Sequence, residues 1–236
     1  FWTKEKSDVF VIAIQMGAIA AVIYEYSARL WGAATGIFSG EPQGRRLGVG
    51  LILASIPIVL IGLTFGQTVK ELLFNDIAIA IGLIVGGLII IWIEKHPPQE
   101  RVHEVEDLSI KDAIWIGLIQ VLSLIPGTSR WGATFIGAMF LCVSRKAATE
   151  FSFFLGIPVI IGAGLLDLYQ SAHVFDGQQD WIVLATGIIV SFISALLLIR
   201  ALVAYVAKRD FMIFAWYRIA SGLVILLFAF TGWKLW

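Results

Sequence analysis

The stretch NDIAIAIGLIVGGLIIIWIE, residues 75–94, has an acid near each end and no charge between Asp76 and Glu94. As a helix rising 1.5 Å per residue, it covers the roughly 30 Å hydrocarbon core of a bilayer. Five further apolar runs have similar reach, at 8–28, 46–65, 145–170, 181–205 and 213–236. Backbone polar groups in lipid must pair within their own segment, so such runs fold as helices. The expected fold is an all-α integral membrane protein with six transmembrane helices. Composition agrees, at 59% hydrophobic, 14% charged and mean hydropathy +0.89. Zero net charge leaves no basic surface for nucleic acid. The one cysteine, Cys142, excludes an internal disulfide and a multi-cysteine metal site.

Residues 109–142 break the pattern. Ser109 with Asp112 three positions on reads as a capping box that starts a helix over about 110–124. Pro126-Gly127 stops it, and a second helix resumes over about 131–142. Each piece is too short to cross a bilayer. The pair is expected as a re-entrant hairpin; the alternative is one long kinked span, with Arg130 deep in the membrane.

Charge placement separates the two. With a hairpin, one side collects Arg29, Arg45, Arg46, Lys95, Arg101, Lys111, Arg145, Lys146, Lys208 and Arg209, and the other only Lys4, Lys6, Lys70 and Lys234. The positive-inside rule makes the first side cytoplasmic. A crossing span would erase that bias. The order of elements also resembles an inverted repeat, with a first repeat over 1–94, a linker over 95–108 and a second repeat over 109–236 that opens with the hairpin. By that symmetry a matching hairpin belongs before residue 1.

The break carries chemistry. A helix N-terminus exposes unpaired N–H groups and about half a positive charge, and a glycine turn lets an anion approach it. In LSLIPGTSRWGAT (122–134), Gly127 and Gly132 give access, Thr128, Ser129 and Thr134 add hydroxyls, and Arg130 adds a fork suited to phosphate oxygens. A charge at membrane depth is costly, so a functional role is its default reading; the alternative is an acid partner that pins the hairpin. Gln120, on the first arm, is close enough in sequence to hydrogen-bond the turn. Glu150 is weighed equally between a role in the site and a dipole partner at its helix start. Asp167 and the linker histidines, His96, His103 and His173, are expected at the interface or in water. Arg218 is expected to snorkel to the cytoplasmic interface.

PGTSRWGAT closely resembles the PGxSRSxxT signature of the undecaprenyl-diphosphatase (bacitracin-resistance) family. IQMGAIAAV (14–22), EFSFFLGIP (150–158), DLY (167–169) and YRIASG (217–222) resemble the family too, so the likeness runs over essentially the whole chain. It implies a multi-pass phosphatase of the bacterial inner membrane, built from inverted repeats with two re-entrant hairpins. The implied reaction removes the terminal phosphate of undecaprenyl diphosphate and recycles the lipid carrier for cell-wall synthesis. Carried over by motif position, Arg130, Ser129 and Thr134 are the candidate catalytic residues. Gly127, Thr128, Trp131, Gly132 and Gln120 are the candidate substrate-binding residues.

Two departures stand out. Position 131 is Trp where the signature has Ser, which either narrows the cradle or lines a lipid tunnel. The family's acidic motif and its serine-histidine segment are absent, so the chain is expected to lack its amino-terminal hairpin. A divalent cation, magnesium or calcium, is implied by the resemblance, with ligands expected outside this chain. A homodimer is a further expectation. A transporter or flippase of a phosphorylated lipid or anion is the competing reading, since inverted repeats with broken helices also build transporters. A purely structural membrane protein would leave Arg130 unexplained.

Overall fold

In the computed structural model, residues 4–171, 177–206 and 208–231 are described. Among them the helices are α1 (Lys4–Glu25), α2 (Ser27–Ser39), α3 (Pro42–Leu73), α4 (Asp76–Lys95), α5 (Ile110–Gln120), α6 (Arg130–Phe140), α7 (Arg145–Ser171), α8 (Gln178–Val206) and α9 (Met212–Thr231). Two short 3-10 turns, Val105–Asp107 and Val121–Leu124, flank α5. Five helices, α3, α4, α7, α8 and α9, are long and apolar enough to cross a membrane. A sixth span is available if α1 and α2 count as one, bent by 83°.

Local signals set the starts. Asn75 Oδ1 accepts from the Ala78 amide at 2.9 Å and opens α4. Ser109 Oγ accepts from the Asp112 amide at 3.1 Å and donates to Asp112 Oδ2 at 2.6 Å, which opens α5. Ser144 Oγ accepts from the Ala147 amide at 3.3 Å ahead of α7. Two expectations need correcting. The run read as one span over 8–28 stops at Tyr26, and the chain turns into the separate helix α2. Helix α3 starts at Pro42, where a proline needs no amide partner, and runs to Leu73, well beyond the span expected over 46–65. Asp167 and His173 have side chains outside the described residues.

The two arms of the hairpin return to the same end of the bundle. The Arg101 amide donates to the Cys142 carbonyl at 2.8 Å, the Ser144 amide to the Val102 carbonyl at 2.8 Å, and Val102 bridges Val143. The chain entering α5 and the chain leaving α6 thus lie side by side at one end of the bundle. That end gathers Arg29, Arg101, Arg145 and Lys146 of the basic residues the hairpin reading assigned to it. Arg145 pairs with Glu94, Lys146 with Glu104, Arg101 with Asp112, and Arg29 with Glu104, Glu106 and Glu150. Glu94 also accepts from the Phe211 amide at 3.3 Å, just before α9. Lys6 meets Asp180 where α1 and α8 begin.

Helix α6 is at the centre, packed on α4, α5 and α7, with Gly132, Ala133, Thr134, Phe135, Gly137, Ala138 and Met139 buried. Helices α8 and α9 keep most of their apolar surface outward, as lipid-facing helices do.

Candidate anion site at the hairpin turn

The turn is built around Gly127. Its φ of +81° is a left-handed conformation that L side chains rarely adopt, and a Cβ there would run into the Ile79 carbonyl of α4. Helix α4 makes room in return, because a Cβ at Gly82 would lie 2.6 Å from the Pro126 carbonyl. The Thr128 amide closes the turn on the Ile125 carbonyl at 3.1 Å. Ser129 then caps α6, its Oγ accepting from the Gly132 amide at 3.2 Å. The N-terminus of α6 therefore lies in the protein interior, held against α4.

Two apolar slots reach this point from opposite flanks. One, of about 260 Å³, runs between α1, α7 and α8 and is lined by Ile19, Phe153, Gly156, Leu198 and Leu202. Arg130 and Trp131 close it. The Arg130 guanidinium has no hydrogen-bond or ion-pair partner among the described residues, and its Nη2 lies 3.6 Å from the point a Cβ on Gly156 would occupy. No described acid pins it. The other slot, of about 250 Å³, lies between α4, the hairpin and α9, and is lined by Ile89, Leu122, Thr128, Ser129, Ile136 and Arg218. A third space of about 190 Å³ joins Ser129, Trp131, Gly132 and Arg218 beneath Phe211 and Tyr217.

The other expected residues fall as follows. Thr134 is buried, and its hydroxyl donates back to the Arg130 and Trp131 carbonyls at 3.1 and 3.0 Å. Trp131 stacks on Phe135 with centroids 5.0 Å apart and planes 9° apart, and touches Phe153 and Phe211. Its indole N–H is buried and has no partner among the described residues. Gln120 is 1% exposed, and neither amide atom has a partner among the described residues, so it does not hydrogen-bond the turn as expected. Glu150 lies away from the turn and pairs with Arg29.

Arg218 was misread from sequence. It does not snorkel outward. Its Nη2 donates to the Gly82 carbonyl at 3.1 Å and to the Gly127 carbonyl at 3.0 Å. No local signal marks this, because both carbonyls belong to distant segments. Ser152 and Gly156 were also given no role, yet both line the Arg130 slot within the quoted EFSFFLGIP.

The site is a cationic and neutral donor set: helix amides, Thr128 and Ser129 hydroxyls, and two guanidinium groups. It suits an anion whose carrier is apolar. It does not suit a divalent cation, which takes carboxylate and carbonyl oxygens. Among the described residues no group of three or more His, Cys, Asp or Glu could hold a metal.

Residues 1–224 match the family model described as bacitracin resistance protein BacA. The chain is 78% identical to undecaprenyl-diphosphatase 1 of Acinetobacter baylyi over 236 residues, all of this chain and 86% of that protein. It is 55% identical to the undecaprenyl-diphosphatase of Psychrobacter cryohalolentis, covering 97% of this chain and 83% of that protein. It is 48% identical to undecaprenyl-diphosphatase 2 of Rhodospirillum rubrum, covering 100% and 85%. The chain belongs to the bacitracin resistance protein BacA family.

Proposed function

We propose that this member of the bacitracin resistance protein BacA family is an undecaprenyl-diphosphate phosphatase. It hydrolyses undecaprenyl diphosphate to undecaprenyl phosphate and inorganic phosphate, which returns the lipid carrier to cell-wall synthesis. The observation that carries the reading is Arg130: a guanidinium without a described protein partner, one residue past the Ser129 cap, facing an apolar slot. The slot can take the first isoprene units next to the head group, which brings the diphosphate to Arg130 and the first amides of α6.

In the reaction, water adds to the terminal phosphorus and the bridging P–O bond breaks, leaving the phosphate on the lipid. Negative charge gathers on the oxygens as this happens. Arg130 and the α6 amides are fixed donors for that charge, worth most in a water-poor site. Thr128 and Ser129 orient the phosphates, and Gly127 and Gly132 keep the approach open. Thr134 positions the first turn of α6 through its backbone bonds. Trp131 lines the tail. Gln120, buried and unpartnered, is proposed to meet a bound polar group. A divalent cation is proposed only as a companion of the diphosphate oxygens.

The protein is a multi-pass membrane protein, and we place it in the bacterial inner membrane. A homodimer is proposed and is read directly from particle mass in detergent. The deciding experiment is phosphate release from undecaprenyl diphosphate by the purified protein in detergent, with Arg130→Ala alongside. Release that depends on Arg130 supports the reading. Absence of release with transfer of the lipid across a vesicle would replace it with a flippase.

A further inference from the structure

The guanidinium of Arg218 ties three segments together. It projects from α9, and one nitrogen, Nη2, donates to Gly82 of α4 and to Gly127 of the turn. The two carbonyls are 136 and 91 positions away in sequence. The group fits closely, because a Cβ on Gly86 would collide with Nη2. Nη1 lies 3.9 Å from the point a Cβ on Gly132 would occupy, on the first turn of α6. The Nε–H is buried and makes no hydrogen bond among the described residues, so the Nη2 bonds alone hold the side chain.

We infer that Arg218 is a positioning residue for phosphate hydrolysis: by holding the Gly127 carbonyl against α4, it sets the direction in which the Ser129 cap and the α6 amides face. Gly127 is the one left-handed glycine in the hairpin. A change in its peptide orientation rotates the Thr128 and Ser129 backbone that follows. A catalytic donor set displaced by about 1 Å loses on the order of 100-fold in rate. Lysine is a poor replacement, because its strongly hydrated ammonium sits on a shorter, flexible stem and lacks the fixed pair of in-plane N–H bonds by which Nη2 meets both carbonyls. The charge of Arg218 is also desolvated beside the slot, so the tether adds positive potential where phosphate binds.

The inference rests on the phosphatase reading, and the test separates the two. Three variants of the full chain are compared in detergent: Arg218→Gln, Arg218→Lys and Gly86→Ala. Gly86→Ala keeps the arginine and its charge but takes the space of Nη2. Expected are kcat losses of about 100-fold for Arg218→Gln and Gly86→Ala with KM changed less than about threefold, and only partial recovery with Arg218→Lys. Hydrogen exchange is measured in parallel on the peptide covering 125–132, which should exchange faster in all three variants. That readout does not depend on turnover. If the wild type releases no phosphate, the phosphatase reading fails while the exchange result still judges the tether. Unchanged exchange in Arg218→Gln, full rescue by Arg218→Lys, or a rise in KM alone would each overturn the inference.

Discussion

Arg29 Nη1 donates to Glu150 Oε2 at 2.7 Å, across 121 positions of sequence. The bond fastens α2 to the second turn of α7. The Glu150 side chain is 4% exposed, while Arg29 keeps 28% and also holds Glu106 and Glu104. Removing the arginine leaves a carboxylate buried without its counter-charge, which is worse than removing both. Arg29→Met is expected to destabilise the protein by about 3 kcal/mol, and Arg29→Met with Glu150→Gln by less. Thermal unfolding in detergent compares them. Equal losses in the single and double variants would show that the pair does not act as a unit.

The same end of the bundle is acid-sensitive. The Lys146 ammonium holds the Glu104 carboxyl below the usual carboxylate range, with burial opposing and Arg29 adding to the effect. A folded pKa below the unfolded one contributes stability above the unfolded value, near 4.3, and loses it as pH falls through the folded value. Glu104→Gln should therefore unfold earlier than the wild type at pH 7, and the two curves should converge below about pH 4. Unfolding temperatures measured between pH 7 and 3 settle this, and a constant gap between the curves would count against it.

Gly127 tests the turn itself. Gly127→Ala adds left-handed strain of about 1–2 kcal/mol and a collision with the Ile79 carbonyl. It should destabilise the hairpin and remove activity together. Gly66→Ala is the matched control, since nothing lies within 4 Å of a Cβ there and α3 continues through it. That variant should be neutral or gain up to about 1 kcal/mol. Unfolding temperatures of both, measured side by side, separate the turn from a general glycine effect.

Much of this was legible because the signals were local. Ser109 with Asp112 and Pro126-Gly127 each act within four residues, and they marked the hairpin's first helix and its break. Asn75 and Ser144 open α4 and α7 by equally local bonds. Helix α2 was missed because SARLWGAATGIFS mixes small and apolar residues without a polar cap ahead of it; Tyr26 makes no side-chain cap bond. The extra length of α3 was missed because Gln67 and Glu71 look like a loop when they belong to an exposed helix end. Arg218 was missed for a different reason. Its partners are backbone carbonyls brought to it by the packing of α4 on α9, and no pattern along the chain encodes them.

Trp131 is where the chain departs from the signature, and its surroundings favour a packing role over obstruction. The indole lines both the Arg130 slot and the space under Phe211, and stacks on Phe135. Trp131→Ser would open a cavity between those spaces, at a cost of about 3–5 kcal/mol for removing a large aromatic side chain. Turnover of the long-chain diphosphate should fall about tenfold, the equivalent of 1.4 kcal/mol, while a short-chain prenyl diphosphate loses less. A rise in turnover for both substrates would show instead that the indole crowds the phosphate.

Arg130 gives the sharpest separation of function from stability. A side chain that fastens the fold carries partners, and Arg130 has none among the described residues, although it lies deep in the slot beside Gly156. Replacing it removes an uncompensated charge, so Arg130→Ala should leave the unfolding temperature unchanged or raise it. Phosphate release should meanwhile fall by about 100- to 1,000-fold, the loss seen when a fixed donor to a developing oxyanion is removed. Arg130→Lys restores charge but not the planar fork, and should recover only part of the rate. Both quantities come from one preparation of each variant. A loss of stability in step with activity would make Arg130 a structural pin, and retained turnover would remove it from the site.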